Sequence, residues 1–488
     1  MSLWNLFKPR IWMLPIATLG LAIGVVISKQ KAEIVASLPV ESRPLQIPEP
    51  EPARAADDLA AGIDGETMAA FYECGAQYGK IKVDAEDRFG QFVGWEHAAA
   101  TDMPAFQFKI APAPDVTLPV VGVPFAIWML NVGRMTDTVM QRLGYQKNLT
   151  KLVVNSINVT GRGLQKLQAL THLDLAFSGL TDEGLKELSE HKTLTHLRIA
   201  NGHVSADGLK ELKAFQSLTF LDLWLTPMTD EGLKHLRDWK HLKTLNLSET
   251  AVTDAGLKEL QCHTNLTALY LGPTAVTEAG LKELAALKRL ETLALIQTKI
   301  TEAGLKELKA FPSLKNLDLS ATKVTDAGMK ELKEIKTLTQ LNLTSTAVTV
   351  SGLKELKEIK TLKVLSLFGA SVNSAGLKEL QEFNTLTELN LGLVNATEAD
   401  LKELKKIQSI HRLMLYRSKV TDDGMKELKD IKTLTALDVS YTEVTDAGLK
   451  ELYKLENLTW LNLRGTKVTA QGVAELRTAL PKCNIASQ

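Results

Sequence analysis

From about residue 126 to residue 480, apolar and polar positions recur in one fixed order. Each unit opens with Leu-x-Leu, passes two variable residues and continues as Thr-x-Val-Thr-Asp-x-Gly-Leu-Lys-Glu-Leu, as from Leu245-Asn246-Leu247 to Leu260. The Leu-x-Leu pair alternates with period two, which predicts a short strand with both leucines on one side. Val252, Leu257, Leu260 and Leu266 have the wider spacing of a helix packing on the same core. Thr253-Asp254 supplies capping oxygens at the start of that helix, and Lys258 with Glu259 forms its charged outer face. The glycine of the helix entry stands at Gly184, Gly208, Gly232, Gly256, Gly280, Gly304, Gly328, Gly352 and Gly376. It gives way to Asp400 and resumes at Gly424, Gly448 and Gly472, every step being 24 residues. Gly163 lies 21 residues before Gly184, and Val139 another 24 before that, which makes 15 units. Of the 338 residues from 151 onward, 68 are leucine, a density that belongs to the repeat. One unit cannot bury its own apolar side, whereas stacked units share a continuous core.

This order resembles the leucine-rich repeat family, whose signature is Leu-x-x-Leu-x-Leu-x-x-Asn/Cys-x-Leu. The Thr-Asp-x-Gly-Leu helix entry is most similar to ribonuclease-inhibitor-like arrays and to bacterial 24-residue arrays. The resemblance implies an α/β solenoid, a horseshoe or arc with a parallel concave sheet and convex helices. Protein binding is the default activity it implies. Where the family carries asparagine, this chain usually has threonine: Thr226, Thr250, Thr274, Thr298, Thr322, Thr346, Thr442 and Thr466. Their hydroxyls are expected to bond the neighbouring loop's backbone as a ladder between coils. Val394 and Asp400 read as local irregularities.

Ahead of the repeats, Ile11 to Ser28 is a run of 18 uncharged residues flanked by Lys8, Arg10, Lys29 and Lys31. As a helix it would span about 27 Å, close to a hydrocarbon core. Residues 1–30 are therefore read as one membrane or signal anchor. A cleaved signal peptide is the alternative, with only a weak cleavage site near Ala36. Basic residues flank both ends, and a short basic tail left in the cytoplasm places the repeats outside, on the periplasmic side. Residues 31–60 contain Pro39, Pro44, Pro48, Pro50 and Pro52 and read as a semi-rigid linker. Residues 61–125 form a flanking or capping region, with a short helical piece around Glu66 to Tyr78 and no evident chemistry. A second uncharged run, Val116 to Gly133, is long enough to span a membrane, but Trp128 and Leu130 fall 24 residues before Leu152 and Val154. Phase assigns it to a capping repeat, with Val120 to Phe125 closing the open end of the core. The repeat domain then covers 126–480, and 481–488 is a C-terminal cap built on a truncated strand.

Composition removes several classes of function. The 57 basic and 57 acidic residues cancel, which argues against a nucleic-acid partner. Cys74, Cys262 and Cys483 are odd in number and far apart, so neither a disulfide framework nor a zinc site is indicated. No phosphate-binding loop, His-Glu-x-x-His or Gly-x-Ser-x-Gly occurs, so no catalytic residue, cofactor or small-molecule substrate is expected. His172 and His196 share a repeat position in adjacent coils, beside Asp174 and Arg198, and stacked strands would bring them within about 5 Å. Without a third ligand they read as polar surface and not as a metal site. Outward strand positions are mostly small or polar, as at Asn246, Asp318, Asn342 and Ser366. Two clusters of large side chains stand out against them. One comprises Phe220, Trp224 and Tyr270; the other Arg412, Met414, Tyr416, Arg417, Tyr441, Trp460 and Arg464. Aromatic and arginine side chains dominate interface energetics. The expected function is a non-catalytic, membrane-anchored bacterial scaffold that binds a macromolecular partner on its concave face. One alternative is an extracytoplasmic carbohydrate or cell-wall binder in which Trp224, Tyr416 and Trp460 stack on sugars. Another is a substrate receptor of a ubiquitin-ligase-like complex, which would need a helical adaptor-binding domain that residues 60–115 do not resemble.

Overall fold

A computed structural model describes residues 63–74, 76–82, 91–94, 102–108, 112, 118–130, 135–372, 374–394 and 396–487. The expected anchor and linker lie outside the described residues. Among the described residues no helix is long and apolar enough to cross a membrane. The chain forms two compact units, one ending at Leu269 and one beginning at Tyr270.

The first unit opens with helix α1 (Gly65–Glu73), capped by Asp64, whose carboxylate accepts from the Thr67 N–H at 2.7 Å. Strand β1 (Ala76–Lys82) follows, so the helix expected up to Tyr78 ends at Glu73 and Tyr78 belongs to a strand. β1 pairs antiparallel with β2 (Gln91–Gly94) and β3 (Met103–Phe108). β3 then runs parallel to β4 (Phe125–Leu130), and β4 to β5 (Leu149–Asn155). Phe71 of α1 stacks on Phe106 at 3.8 Å between ring centroids, with Phe108 and Phe125 against it. This aromatic layer closes the first coils and includes Phe125, the end of the Val120–Phe125 segment to which the sequence assigns that role. Val120 is exposed. The segment it belongs to is instead pinned by buried Gln146, which accepts from Val121 N–H and donates to the Pro119 carbonyl at 2.7 Å. Phe125–Leu130 is a strand in phase with the repeat, as its spacing to Leu152 and Val154 predicts.

Beyond β5 the three-residue strands His172–Asp174, His196–Arg198, Phe220–Asp222 and Thr244–Asn246 pair in parallel, residue on residue, at the repeat spacing. The second unit has the same ladder from Thr292–Ala294 to a last strand, Asn484–Ala486, which caps it after the helix Ala470–Ala479. Each core leucine therefore lies against the leucine of the next coil, as Leu317 on Leu341 on Leu365, and all three are fully buried. Three residues is short because the strand ends in a turn. Asp or Asn at its last position accepts from the N–H two residues on, as Asp222 from Trp224, Asn342 from Thr344 and Asp438 from Ser440. The third residue after the strand takes a left-handed conformation, at Phe177, Leu225, Leu393, Arg417 and Tyr441 among others.

The threonine row departs from expectation. Thr250 Oγ1 donates to the Leu247 carbonyl of its own coil at 2.6 Å, and Thr226, Thr298, Thr322, Thr346 and Thr442 repeat that bond. These hydroxyls close the turn within a coil and make no ladder between coils, because the left-handed residue folds each one back over its own strand. The ladder is built by the helix-entry acids instead. Asp230 accepts from Thr253 N–H at 2.7 Å and from Thr253 Oγ1 at 2.6 Å in the next coil, while Thr253 caps its own helix. Asp326 with Thr349, Asp422 with Thr445 and Asp446 with Thr469 repeat the arrangement. Glycine follows from it: a Cβ on Gly256 would lie 2.3 Å from Asp230 Oδ1, and one on Gly448 2.4 Å from Asp422 Oδ1.

Candidate interaction site on the strand face

The outward strand side chains form two rows. In the first unit, His172, His196 and Phe220 stack in the first row, with ring centroids 4.0 and 5.7 Å apart and nearly parallel planes. Burial, with His196 and Lys151 nearby, pushes His172 down to about 3, so it is neutral near pH 7. In the second row Arg198 bridges Asp174 at 2.9 Å and Asp222 at 3.0 Å. Burial raises both carboxyl pKa values against the opposing pull of Arg198. Among the described residues no group of three His, Cys, Asp or Glu is arranged to hold a metal. Phe220 is buried within this stack, with the Arg198 guanidinium 5.9 Å from its ring centroid. Trp224 lies edge-on to exposed Phe177, 5.6 Å between centroids, and donates Nε1–H to Glu249 at 3.2 Å. The cluster read as Phe220 and Trp224 is thus largely satisfied internally. Tyr270 opens the second unit and is half-buried.

The outward positions Asn342 and Ser366 are buried, 1% and 3% exposed. Asn342 reaches back to Asp318 Oδ2 at 2.9 Å, and Thr344 Oγ1 lies 3.0 Å from Ser366 Oγ. These small polar residues serve the turns and the ladder, and little of them is open surface.

The second cluster divides. Arg412 lies in the first row, 3.3 Å from Glu388, with Ala436 and then half-buried Trp460 as its ladder neighbours. Tyr416, Arg417 and Tyr441 come together where the strands end. Tyr416 and Tyr441 meet edge-on at 5.4 Å, and the Arg417 guanidinium stands 5.3 Å from one ring centroid and 5.2 Å from the other. Tyr441 is 51% exposed and Arg417 is exposed. Phe368, not singled out in the sequence, joins them: its ring is parallel to that of Tyr416, 6.0 Å away, although a whole coil lies between. It can reach because the intervening residue is Gly392, where a Cβ would lie 2.5 Å from Phe368 Cδ2. Gly465 makes the same room for Tyr441. An aromatic residue followed 24 residues later by glycine was the available signal. Arg464 occupies the Tyr416 position two coils on and makes no ring contact with this group.

With the coil geometry in view, the comparisons with known proteins agree. A family model described as Leucine Rich repeat matches residues 166–189, 240–260 and 431–452. These three segments carry leucine-rich repeats. No curated protein matches its sequence. Among solved structures it is similar to an internalin of Listeria monocytogenes, 19% identical over 66% of this chain and 82% of that one, with a TM-score of 0.40. It is also similar to a leucine-rich repeat protein of Leptospira interrogans, 23% identical over 70% and 96%, with a TM-score of 0.44. A third is the TLR13–ssRNA13 complex, 16% identical over 75% and 60%, with a TM-score of 0.46.

Proposed function

We propose that this chain is a non-catalytic interaction scaffold that uses the strand ends of its second unit to hold a protein partner. The observation that carries this reading is Arg417, exposed between two tyrosines and, among the described residues, in no ion pair. Arginine and tyrosine in this arrangement offer large contact area and directed donors. Arg198, by contrast, is already held by two buried carboxylates and has little left to offer a ligand. Of the residues singled out in the sequence, Tyr416, Arg417 and Tyr441 form the centre, with Arg412, Trp460 and Arg464 around them. Residues 11–28 would tether the chain to a membrane with the repeats on the extracytoplasmic side.

The test is capture of partners by the full-length chain compared with a Tyr416→Ala, Tyr441→Ala double variant. A partner retained by the first and lost by the second is expected. An identical partner set would sink the assignment of the site. Protease accessibility of the repeats in intact and permeabilised cells tests the tether, with protection in intact spheroplasts defeating the outward-facing arrangement.

A further inference from the structure

The chemistry around Arg417 specifies a ligand more closely than "a protein". Arg417, Lys419 and Arg464 make no ion pair among the described residues, while the neighbouring acids are committed elsewhere. Glu388 is paired with Arg412, Glu443 with Lys467, and Asp438 accepts from Ser440 and Asn462. The ridge is therefore locally basic although the whole chain is neutral. Zero net charge does not exclude an anionic ligand here.

The rings set a second constraint. Phe368, Tyr416 and Tyr441 follow one another at 6.0 and 5.4 Å. A polyproline II strand has three residues per turn and rises about 3.1 Å per residue, so only residues three apart share an edge, about 9 Å from one another. With two of its three edges against the ridge, a strand in which proline and an acidic residue alternate brings both kinds of side chain to it, the prolines to the rings as proline-rich ligands do in aromatic-lined grooves. Acidic residues between them would meet the unpaired cations. A single-stranded nucleic acid also combines negative charge with flat rings, but it needs a basic track along the backbone. Beyond the ridge the corresponding left-handed positions are Gln297, Ala321 and Ser345, which are neutral.

A segment of this chemistry is present in this chain: Ile47-Pro48-Glu49-Pro50-Glu51-Pro52, with proline at alternate positions and glutamate between. We propose that the Phe368–Tyr416–Tyr441 ridge, with Arg417, Lys419 and Arg464, binds the Ile47–Pro52 segment of a second copy of this chain. Supplied in trans, the segment reaches the ridge irrespective of where residue 52 is held in its own chain. This rests on the reading of the ridge as an interaction surface and gives that surface a ligand.

The experiment uses the full-length chain carrying Glu49→Lys and Glu51→Lys, so that its own segment does not compete. The probe is a fluorescent synthetic peptide spanning Glu41 to Asp58, titrated by anisotropy. Saturable binding is expected, weakened about tenfold or more by Tyr416→Ala or Arg417→Ala and retained by Tyr416→Phe, which keeps the ring. A peptide with both glutamates changed to lysine should bind at least about tenfold more weakly. Sedimentation of the unaltered chain should show concentration-dependent self-association that the Glu49→Lys, Glu51→Lys chain lacks. No peptide binding, or binding indifferent to Tyr416→Ala, overturns the proposal. So does binding of a uridine oligonucleotide in place of the peptide, or an unaltered chain that stays monomeric at every concentration. If the peptide fails while the Tyr416→Ala, Tyr441→Ala variant still loses a captured partner, this proposal falls and the interaction surface stands.

Discussion

At the scale of single residues, His172 shows how stacking coils changes side-chain chemistry. Its ring is sandwiched into a ladder and held at a pKa of about 3 by burial first and by His196 and Lys151 second. The unfolded chain takes up a proton at this ring below about pH 6.5, and the folded chain does not until about pH 3, so stability falls as pH drops through that window. Asp174 and Asp222, whose pKa values burial raises, act in the opposite sense, so the effect has to be read against a variant. Urea midpoints for the protein and for His172→Gln should diverge between about pH 7 and about pH 4.5, the protein losing more. Equal losses would remove His172 as the cause. The proximity of His172 and His196 was legible from a shared repeat position. The neutrality of His172 was not, because it depends on burial by neighbouring coils.

The helical elements show a substitution that explains itself across two coils. Asp400 stands where the repeat has glycine and is 1% exposed. Its carboxylate accepts from Thr397 N–H at 2.6 Å and from Thr397 Oγ1 at 2.8 Å. In several other coils those two bonds go to the acid of the preceding coil, 23 residues before the threonine, and at Gly256 and Gly448 that acid is what a Cβ would meet. Here the residue 23 before Thr397 is Ser374, which has no carboxylate, and Asp400 supplies one from within its own coil. Asp400→Gly alone should cost about 1–2 kcal/mol, since it strips the helix start of its acceptor. Adding Ser374→Asp should restore most of that loss. A double-mutant cycle by chemical denaturation reads the coupling, and strictly additive effects would show that the two positions are independent. The sequence marked Asp400 as an irregularity. The compensation lies 26 residues away and becomes visible only when the bond between coils is known. The threonine row was misread for the same reason, since a hydroxyl's partner depends on which way the turn carries it.

For the whole molecule, the strand pairings, leucine contacts and acid–threonine bonds between coils join nearest neighbours, and the Phe177–Trp224 and Phe368–Tyr416 ring contacts are the exceptions described. Stability in such an array is a sum of coil and interface contributions. Leu341→Ala should cost about 2–5 kcal/mol. Amide exchange should quicken in its own coil and in the strands Asn316–Asp318 and Val364–Ser366. The strands His172–Asp174 and His196–Arg198 of the other compact unit should keep their protection. Uniform loss throughout the chain would contradict nearest-neighbour stacking. At this scale the sequence was most informative, because a strict period fixes strand, helix and register together. What it left open was the aromatic ridge, which depends on side chains reaching across a glycine into another coil.

The acid-to-threonine staple has an implication for how such a chain changes over generations. Most coils carry one half of the joint on the leading side and the complementary half on the trailing side, at the same two positions. Unequal recombination that duplicates or deletes one whole repeat of coding sequence therefore leaves matching ends at the new junction. Events out of phase would leave an acid without its hydroxyl. Length can drift by whole coils, while the coil of Asp400, which supplies its own carboxylate to Thr397, has no need of an acid in the coil before it.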